Sequence, residues 1–314
     1  MKDLKTILTD IATGTLRGIM WCFSKLPLKF HYACGGFLTW ILKDVMHYRR
    51  DLVMANLARS FPQMKYKELR KVSDRFYRHF GDIFAEAIWF GGCTDPERLR
   101  KARLVEFKGY EAFEESWNNS PGVMIMTSHC GNWELFGGFE YYDFRPDAPS
   151  IEDRIRSNRI VAVYKSLSSK VWDRVMFKNR CAPLLRDNYD LYIDSTAILR
   201  FALTHKNDKM VYLFPTDQCP YKNSTVDETV EFMHQETKTM LGGASLARKL
   251  GMSVFYLNMI PVSRGHYEWA FTKICDDASK VSTHEVMQTY YQLLQKDIEA
   301  TPWNYLWTHN RWKK

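Results

Sequence analysis

The chain has 314 residues, of which 46% are hydrophobic and 25% are charged, and its formal net charge is +8. This composition supports a folded core and excludes an intrinsically disordered chain. The positive charge favours an anionic partner such as nucleic acid, an anionic membrane or an acidic carrier protein. The seven cysteines include no Cys-x-x-Cys pair, which argues for free thiols and against a disulfide framework or a zinc site.

Residues 1–104 are predicted to form a helical region that meets a membrane. Apolar residues recur at helical spacing between residues 4 and 26, and the uncharged run from Phe30 to Leu42 predicts a second helix. That run has 13 residues, fewer than the ~20 that a membrane-spanning helix needs. We therefore expect the chain to lie on a membrane without crossing it. Helical periodicity alone is equally compatible with a first helix that packs on the protein's own body.

Residues 41–80 are the most basic part of the chain, with ten Lys or Arg against four Asp or Glu. Such a surface suits lipid phosphates or an acidic carrier protein, and it is also the usual composition of a solvated helix face. Apolar residues from Leu69 to Ile88 recur every three or four positions. This spacing predicts one long amphipathic helix that ends at Gly91.

Residues 105–314 are predicted to form an α/β core, with a mostly parallel central sheet flanked by helices, because strand and helix patterns alternate. Together with the N-terminal region it is expected to form one integrated domain. Strands are predicted at 122–127, 160–164, 182–185, 210–214 and 253–260, with an antiparallel addition at 266–274. Helices are predicted at 132–142, 169–180, 194–205 and 241–250 and from about Thr283. Residues 219–240 are polar and predict a long functional loop.

The segment from Pro121 to Phe136 carries the best candidate for catalysis. An apolar strand is followed by a turn that holds His129 and then by Glu134 at the start of a helix. Across such a junction the two side chains can converge, and a histidine held by a carboxylate can act as a general base. Open α/β sheets place their sites at this end of a strand. Taken alone, one His and one Glu at this spacing are more often a helix cap or a coincidence.

Four blocks of sequence carry a family resemblance. The segment from Ser128 to Glu134 resembles the His-x4-Asp/Glu motif of the glycerolipid and lipid A acyltransferases. Its flanks are similar to those of the lipid A biosynthesis acyltransferases, which move a fatty acyl chain from acyl carrier protein to a lipid A precursor. The other blocks agree in order and spacing, and they are Tyr48-Arg49-Arg50 through Asn56-Leu57 to Phe61-Pro62, Val163-Tyr164-Lys165, and Tyr305 to Lys313. The resemblance covers nearly the whole chain.

The resemblance implies a glycerolipid acyltransferase-like fold and a general-base mechanism without a covalent intermediate. His129 would take the proton of an acceptor hydroxyl as its oxygen attacks an acyl thioester, and Glu134 would orient the imidazole. No covalent acyl-enzyme is required, because the thioester co-substrate is already activated. Neither a metal nor another cofactor is expected, since the clustered His spacing of a catalytic zinc site, such as His-Glu-x-x-His, is absent. Cys130 is a possible nucleophile, but neighbouring residues of an extended segment point in opposite directions, so it is expected to be a packing residue.

Four further residues are candidates for substrate binding. Lys165 follows a predicted strand, where the family usually has an arginine, so the charge is kept and the bidentate fork is not. Asp217 follows another strand and would bind acceptor hydroxyls or hold Lys165 in place. Arg174 matches an Asp-Arg pair of the family, and Asn132 lies within the His-x4-Glu motif. Each also has a plain structural explanation, such as a surface lysine, a turn aspartate or a helical ion pair.

The expected partners are acyl carrier protein or acyl-CoA, an anionic lipid acceptor and a membrane surface, but not nucleic acid. The expected location is the cytoplasmic face of the bacterial inner membrane, as a peripheral or monotopic protein. Trp303, Trp307 and Trp312 are compatible with stacking on bases, but the resemblance favours a tail that docks on the body. Two alternatives remain: acyl transfer to a lysophospholipid or aminolipid acceptor, and a non-catalytic protein that binds a membrane surface.

Overall fold

The computed structural model describes residues 4–148, 154–155, 157–184, 191–220 and 228–312. The α-helices are α1 (Leu4–Ser24), α2 (Leu28–Trp40), α3 (Arg50–Ser60), α4 (Tyr66–Phe90), α5 (Pro96–Ala102), α6 (Tyr110–Asn119), α7 (Lys170–Arg180), α8 (Ile198–Thr204), α9 (Gly242–Leu250) and α10 (Thr283–Ala300). The strands are β1 (Val105–Lys108), β2 (Val123–Thr127), β3 (Ile160–Tyr164), β4 (Tyr192–Asp194), β5 (Val211–Pro215), β6 (Thr229–Phe232), β7 (Gln235–Lys238), β8 (Ser253–Ser263) and β9 (His266–Cys275).

A mixed sheet with the strand order β1-β9-β8-β2-β5-β3-β4 forms the centre of the fold. Strands β8, β2, β5, β3 and β4 run parallel, whereas β9 is antiparallel to β8, and β1 is parallel to β9. Every residue of β2 is buried, since Met124 and Met126 face one apolar cluster while Val123 and Ile125 face the other. This arrangement confirms the predicted α/β fold with a mostly parallel sheet, including the antiparallel addition near the C-terminus.

Two predictions about strands were wrong. Ala182–Leu184 forms a short 3₁₀ helix, and the edge strand beside β3 is β4, further along the chain. Pro183 has no N–H to donate to a ladder. The predicted loop at 219–240 contains the antiparallel hairpin β6–β7, while its residues 221–227 lie outside the described ranges. The turn of this hairpin is Met233-His234, both with positive φ, and it lacks the Asn-Gly signal by which such turns are recognised.

The predicted helix at 132–142 is present as the 3₁₀ helix Trp133–Tyr141. It contains Gly137 and Gly138, and glycine weakens an α-helix because it loses the most conformational entropy on folding. The remaining helices predicted in the core are confirmed, with ends that shift by a few residues. The first strand of the sheet begins shortly after α5 ends, so the helical region is followed directly by the core.

The sequence block near residue 50 contacts the block near the C-terminus. The side-chain amide of Asn56 in α3 donates to the carbonyl oxygens of Trp307 and His309, at 3.0 Å each. Arg49 donates to the carbonyl oxygen of Thr308 at 2.7 Å. Trp307 is fully buried, and its ring meets Phe61 edge-on. The C-terminal segment therefore docks on the N-terminal helices.

The same segment also contacts α10 and the β6–β7 hairpin. Arg311 is buried and donates to the hydroxyl of Tyr291 and the carbonyl oxygen of Lys238. The indole of Trp312 donates to the hydroxyl of Thr237 at 2.8 Å. These contacts support the predicted tail that docks on the body.

Helices α1 and α2 leave much of their apolar surface exposed. Leu4 is 72% exposed and Phe37 is 62% exposed. Other large apolar side chains on these helices are also exposed, namely Ile7, Leu8, Ile11, Ile19, Trp21, Phe23, Phe30 and Trp40. No helix within the described ranges has both the length and the hydropathy needed to cross a bilayer. Contiguous exposed apolar surface of this kind is typical of an interaction surface.

A buried carboxylate joins the N-terminal helices to the sheet. Glu86 of α4 accepts hydrogen bonds from the hydroxyl of Tyr32 in α2 at 2.9 Å, from the amide of Asn132 at 2.8 Å, and from the hydroxyl of Tyr267 in β9 at 2.9 Å. Burial raises the pKa of Glu86 to about 7, although the three hydrogen bonds oppose the rise. Glu86 therefore connects the helical region to the turn that follows β2.

The raised pKa of Glu86 predicts that the protein loses stability as the pH rises from about 4.5 to about 7. Over this window the folded protein keeps a proton that the unfolded chain has released, so the free energy of unfolding falls with pH. Glu86→Gln keeps the shape of the side chain and removes the ionisation. Relative to the wild type, the variant should gain on the order of 3 kcal/mol between pH 4.5 and pH 8.

Urea unfolding at several pH values measures this difference. Glu115→Gln, which removes an exposed carboxylate, is the control and should follow the wild-type profile. Parallel profiles for the wild type and Glu86→Gln would show that folding does not change the pKa of Glu86 and would contradict the prediction.

The contacts of Asn56 predict a stability cost when its side chain is removed. Asn56→Ala leaves the carbonyl oxygens of Trp307 and His309 without this donor, so we expect a loss of about 1–3 kcal/mol. Asn118→Ala, at an exposed position, is the matched control. An equal melting temperature for both variants would mean that the amide does not hold the C-terminal segment.

Candidate active site

The pairing of β2 with β5 places two polar side chains together. The strands are parallel neighbours, with Thr127 opposite Pro215, and the amide of Thr216 donates to the carbonyl oxygen of Thr127 at 3.0 Å. His129 lies two residues after Thr127, and Asp217 lies two residues after Pro215. Equal offsets on adjacent parallel strands bring their side chains to one point on the carboxyl edge of the sheet, where α/β proteins bind ligands.

His129 and Asp217 form a direct hydrogen bond, with 2.7 Å between Nδ1 and Oδ1. Nε2 of Gln218 lies 3.1 Å from Nε2 and 3.5 Å from Nδ1 of His129, so its amide lies over the ring and not in line with the Nε2 lone pair. A carboxylate can only accept, so the contact with Asp217 places a proton on Nδ1, and the neutral imidazole then has its lone pair at Nε2. Asp217 has 2% of its side chain exposed and His129 has 15%. The imidazole is thus reachable from solvent while its carboxylate partner is not.

Asp217 stays anionic despite its burial. Burial raises the pKa of this carboxyl group, but the attraction of His129 and the hydrogen bonds from His129 outweigh it, and the net pKa lies below the usual value. A carboxylate that remains charged beside an imidazole can stabilise the imidazolium that forms when Nε2 takes up a proton. The site can therefore accept a proton from a neighbouring hydroxyl group.

Glu134, the carboxylate expected at His129, lies against Arg180 instead. Both of its oxygens accept hydrogen bonds from the Arg180 guanidinium at 2.7 Å. Asn132 caps the 3₁₀ helix by accepting the amide proton of Glu134, and the carboxylate pairs with the last residue of α7. The predicted contact between Glu134 and the imidazole is therefore wrong in this structure, where Asp217 makes it. The sequence spacing of His129 and Glu134 cannot reveal which strand lies beside β2.

The other predicted substrate-binding residues are divided between the edge of the sheet and the scaffold. Lys165 is exposed and directly follows β3, the strand on the far side of β5, so it belongs to the same carboxyl edge. Arg174 pairs with Asp10 of α1 at 2.6 Å and links that helix to α7. Asn132 is fully buried between Glu86 and the start of the 3₁₀ helix. The geometry therefore groups Lys165 with His129 and Asp217, and it gives Asn132 and Arg174 structural contacts.

Cys130 is buried in the apolar core, as expected of a packing residue. Burial raises the pKa of its thiol, and a thiol rather than a thiolate is a poor nucleophile. The geometry gives Cys130 no exposed position from which to attack a thioester.

The sequence interpretation missed the residues that hold the two strand ends. The hydroxyl of Tyr290 in α10 donates to the carbonyl oxygen of Thr127 at 2.8 Å, and that of Tyr291 donates to the carbonyl oxygen of Thr216 at 3.3 Å. Adjacent tyrosines on an amphipathic helix are no different from other core residues in a sequence. The sequence interpretation also omitted Gln218, although it directly follows the candidate Asp217.

The turn that carries His129 is fixed by Asn304, which follows α10. Its side-chain oxygen accepts the amide proton of Gly131 at 2.9 Å, and its amide nitrogen donates to the carbonyl oxygen of Met259 in β8 at 3.0 Å. Gly131 has a φ of +63°, and a Cβ atom there would come within 2.6 Å of the Met259 Cβ. Only glycine fits both the backbone conformation and the space.

Comparison with known proteins agrees with the four sequence blocks. The family profile of the bacterial lipid A biosynthesis acyltransferases matches residues 8–139 and 156–314. The chain is 22% identical to the lipid A biosynthesis palmitoleoyltransferase of Escherichia coli (strain K12) over 300 residues. The matched region covers 94% of this chain and 89% of that protein.

Two further relatives show similar coverage. The lipid A biosynthesis lauroyltransferase of Escherichia coli (strain K12) is 23% identical over 304 residues, with 94% of this chain and 89% of that protein covered. The lipid A biosynthesis acyltransferase of Shigella flexneri is 22% identical over 300 residues, with the same two shares. The similarity spans both the N-terminal helices and the α/β core, which confirms the resemblance found in the sequence. The chain belongs to the family of bacterial lipid A biosynthesis acyltransferases.

Proposed function

We propose that the protein transfers a fatty acyl chain from a thioester on acyl carrier protein to a hydroxyl group of a lipid A precursor, with His129 as the general base. Family membership supports acyl transfer and the class of acceptor. The observation that carries the mechanism is the hydrogen bond between His129 and the buried carboxylate of Asp217 at the carboxyl edge of the sheet.

In the proposed reaction the acceptor hydroxyl donates a hydrogen bond to Nε2 of His129. Nε2 takes the hydroxyl proton as the oxygen attacks the thioester carbonyl, and Asp217 stabilises the imidazolium. The tetrahedral intermediate then collapses, the carbon–sulfur bond breaks, and the departing thiolate receives the proton from the imidazolium. The products are an ester and a free thiol, and no acyl-enzyme is formed.

Glu134 acts on this site indirectly in our proposal. Its ion pair with Arg180 joins the 3₁₀ helix after the catalytic turn to α7. The attraction of Glu134 outweighs the opposing effect of burial and keeps the pKa of Arg180 above its ordinary value. Glu134 is therefore a positioning residue for the turn, and Asp217 takes the orienting role that the sequence motif suggested for Glu134.

The basic and apolar surfaces support the proposed partners. The cations of residues 41–80 suit an anionic donor such as an acidic acyl carrier protein. The exposed apolar side chains of α1 and α2 suit the headgroup region of a bilayer, which supports peripheral attachment at the cytoplasmic face of the inner membrane. Lys165, at the same sheet edge as His129, is positioned to bind an anionic group of either substrate.

Acyl transfer by the purified protein tests the proposal directly. With acyl carrier protein as donor and a lipid A precursor as acceptor, the wild type should add one acyl chain, detected by mass spectrometry. His129→Ala and Asp217→Asn should each lower the rate roughly 10²–10⁴-fold, because a positioned general base contributes about that much.

His284→Ala, which removes an exposed histidine paired with Glu228, is the control and should retain the wild-type rate. Unchanged activity in a folded His129→Ala variant would refute the proposed base. Acylation of a lysophospholipid in place of the lipid A precursor would replace the proposed acceptor with the alternative one.

The two roles considered for Glu134 predict different results. Arg180→Met leaves a buried carboxylate without its cation and should cost about 3–5 kcal/mol of stability. The double variant Glu134→Gln/Arg180→Met removes both charges and should recover most of that loss. If Glu134 only positions the turn, the double variant should keep more activity than Asp217→Asn. If a stably folded Glu134→Gln variant is as inactive as Asp217→Asn, then Glu134 acts directly in catalysis.

A further inference from the structure

A polar cavity of about 900 Å³ lies between α2, α4 and the turn that joins β8 to β9. Trp40 of α2 lies at one wall, and Trp303, just after α10, lies at another. Its lining includes His79, whose ring meets that of Trp303 edge-on with 5.1 Å between the ring centroids. His129 and Asp217 are not among its lining residues, although Glu86 of the lining binds Asn132 in the turn after β2.

Five Lys or Arg side chains line the cavity, and acidic side chains neutralise two of them. Lys43 pairs with Asp74 at 2.7 Å, and it is also 3.5 Å from Asp44. Arg264 binds both oxygens of Asp82, at 2.6 and 3.0 Å. The fourth acidic side chain of the lining, Glu86, is held by neutral donors.

The remaining three cations lie on one face of α4. Lys71, Arg75 and Arg78 are spaced by four and three residues, so their side chains are neighbours on the helix. All three are exposed, and none forms an ion pair with an acidic residue in the part of the chain that the structure describes. Like charges at this spacing destabilise a helix. An anion that binds between them would remove this repulsion.

Arg75 is already held in position. Its guanidinium carbon lies 4.0 Å from the centre of the Trp303 ring, and such stacking leaves the edge of the fork free for hydrogen bonds. Guanidinium groups bind phosphate through two parallel hydrogen bonds. His79 contributes no charge near pH 7, because burial lowers its pKa to about 4. The positive charge available to a ligand therefore comes from α4.

The rim of the cavity is apolar on the side of α2. Trp40 is 51% exposed and stacks on Phe37, with 5.8 Å between the ring centroids, and Val262 in β8 is 53% exposed. A free anion needs no such rim, and an acidic protein would meet cations inside a concavity. A polar cavity with an apolar lip fits an amphiphile whose headgroup enters while its chains stay outside.

We propose that this cavity binds the phosphate of an anionic membrane lipid between Lys71, Arg75 and Arg78, with the lipid chains leaving past Trp40 and Phe37. The site would set the orientation of the protein on the bilayer. The inference shares with the proposed function only the membrane surface as its setting, because neither His129 nor Asp217 lines this cavity.

Co-sedimentation with vesicles tests the proposal without acyl donor or acceptor. The wild type should bind vesicles of phosphatidylcholine with a fifth of phosphatidic acid more tightly than vesicles of phosphatidylcholine alone. The Arg75→Gln/Arg78→Gln variant should lose this preference, by roughly tenfold or more in affinity for two cations near a membrane surface. Lys71→Gln should lose part of it and provides a second, smaller change.

Lys67→Gln/Arg70→Gln is the matched control, because it removes two exposed cations of the same helix that do not line the cavity. Equal losses for both double variants would show diffuse attraction and overturn the site. Equal binding of the wild type to both vesicles would overturn it as well. Inorganic phosphate at the same concentration as the lipid phosphate should compete poorly, and full displacement would show a site for free phosphate. Failure to bind any vesicle would refute membrane docking and leave the acyl-transfer assay to be judged by itself.

Discussion

The arrangement of the candidate active site depends on the pairing of β2 with β5. Neither His129 nor Asp217 lies in a strand, and each gains its position from the strand that precedes it. A shift of one residue in this register would move His129 relative to Asp217 by about 3.3 Å along the strand direction. That is enough to break their hydrogen bond of 2.7 Å. The apolar side chains that bury both faces of β2 therefore also set the geometry of the dyad. A shift of one residue would also move each of these side chains to the opposite face of the sheet.

Helix α10 and the segment after it stabilise this edge of the sheet. Hydroxyl groups of α10 bind the carbonyl oxygens where β2 and β5 end, and Asn304 binds the turn between His129 and its helix. The following segment is held in turn by Asn56 and Arg49 in the N-terminal helices. This chain of contacts explains why sequence blocks near residues 50 and 307 accompany the His-x4-Glu motif. They are distant in sequence, but they form one structural unit around the site.

The fold was largely predictable because its signals are local. The buried strands, their order of alternation with helices, and the long helix α4 all appear as apolar runs or as helical spacing. The site was predictable only in part, because it depends on which strands are neighbours. His129 and Asp217 were each recognisable as polar residues after a strand, but their contact required the place of β5 beside β2. Glu134 was nearer to His129 in sequence. Asn132 caps the 3₁₀ helix in which Glu134 lies, and the Glu134 carboxylate faces Arg180 of α7. The strand expected at 182–185 failed for a similar reason, since an edge strand as short as β4 has little pattern of its own.

The basic stretch of residues 41–80 resolves into groups with different tasks once the contacts are known. Arg49 donates to a backbone carbonyl oxygen of the C-terminal segment, and Lys43 forms an ion pair with an aspartate of α4. Lys71, Arg75 and Arg78 have no such acidic partner within the described residues, and they share one face beside an apolar lip. A composition count treats all these cations alike, whereas their surroundings divide them into structural donors and charges available to a ligand. The net charge of the chain is therefore a poor guide to binding unless each cation is first matched with the acid or carbonyl that holds it. At α4 this matching leaves the positive charge at the mouth of a cavity next to the exposed aromatic rings of α2, where a phosphorylated amphiphile satisfies both surfaces at once.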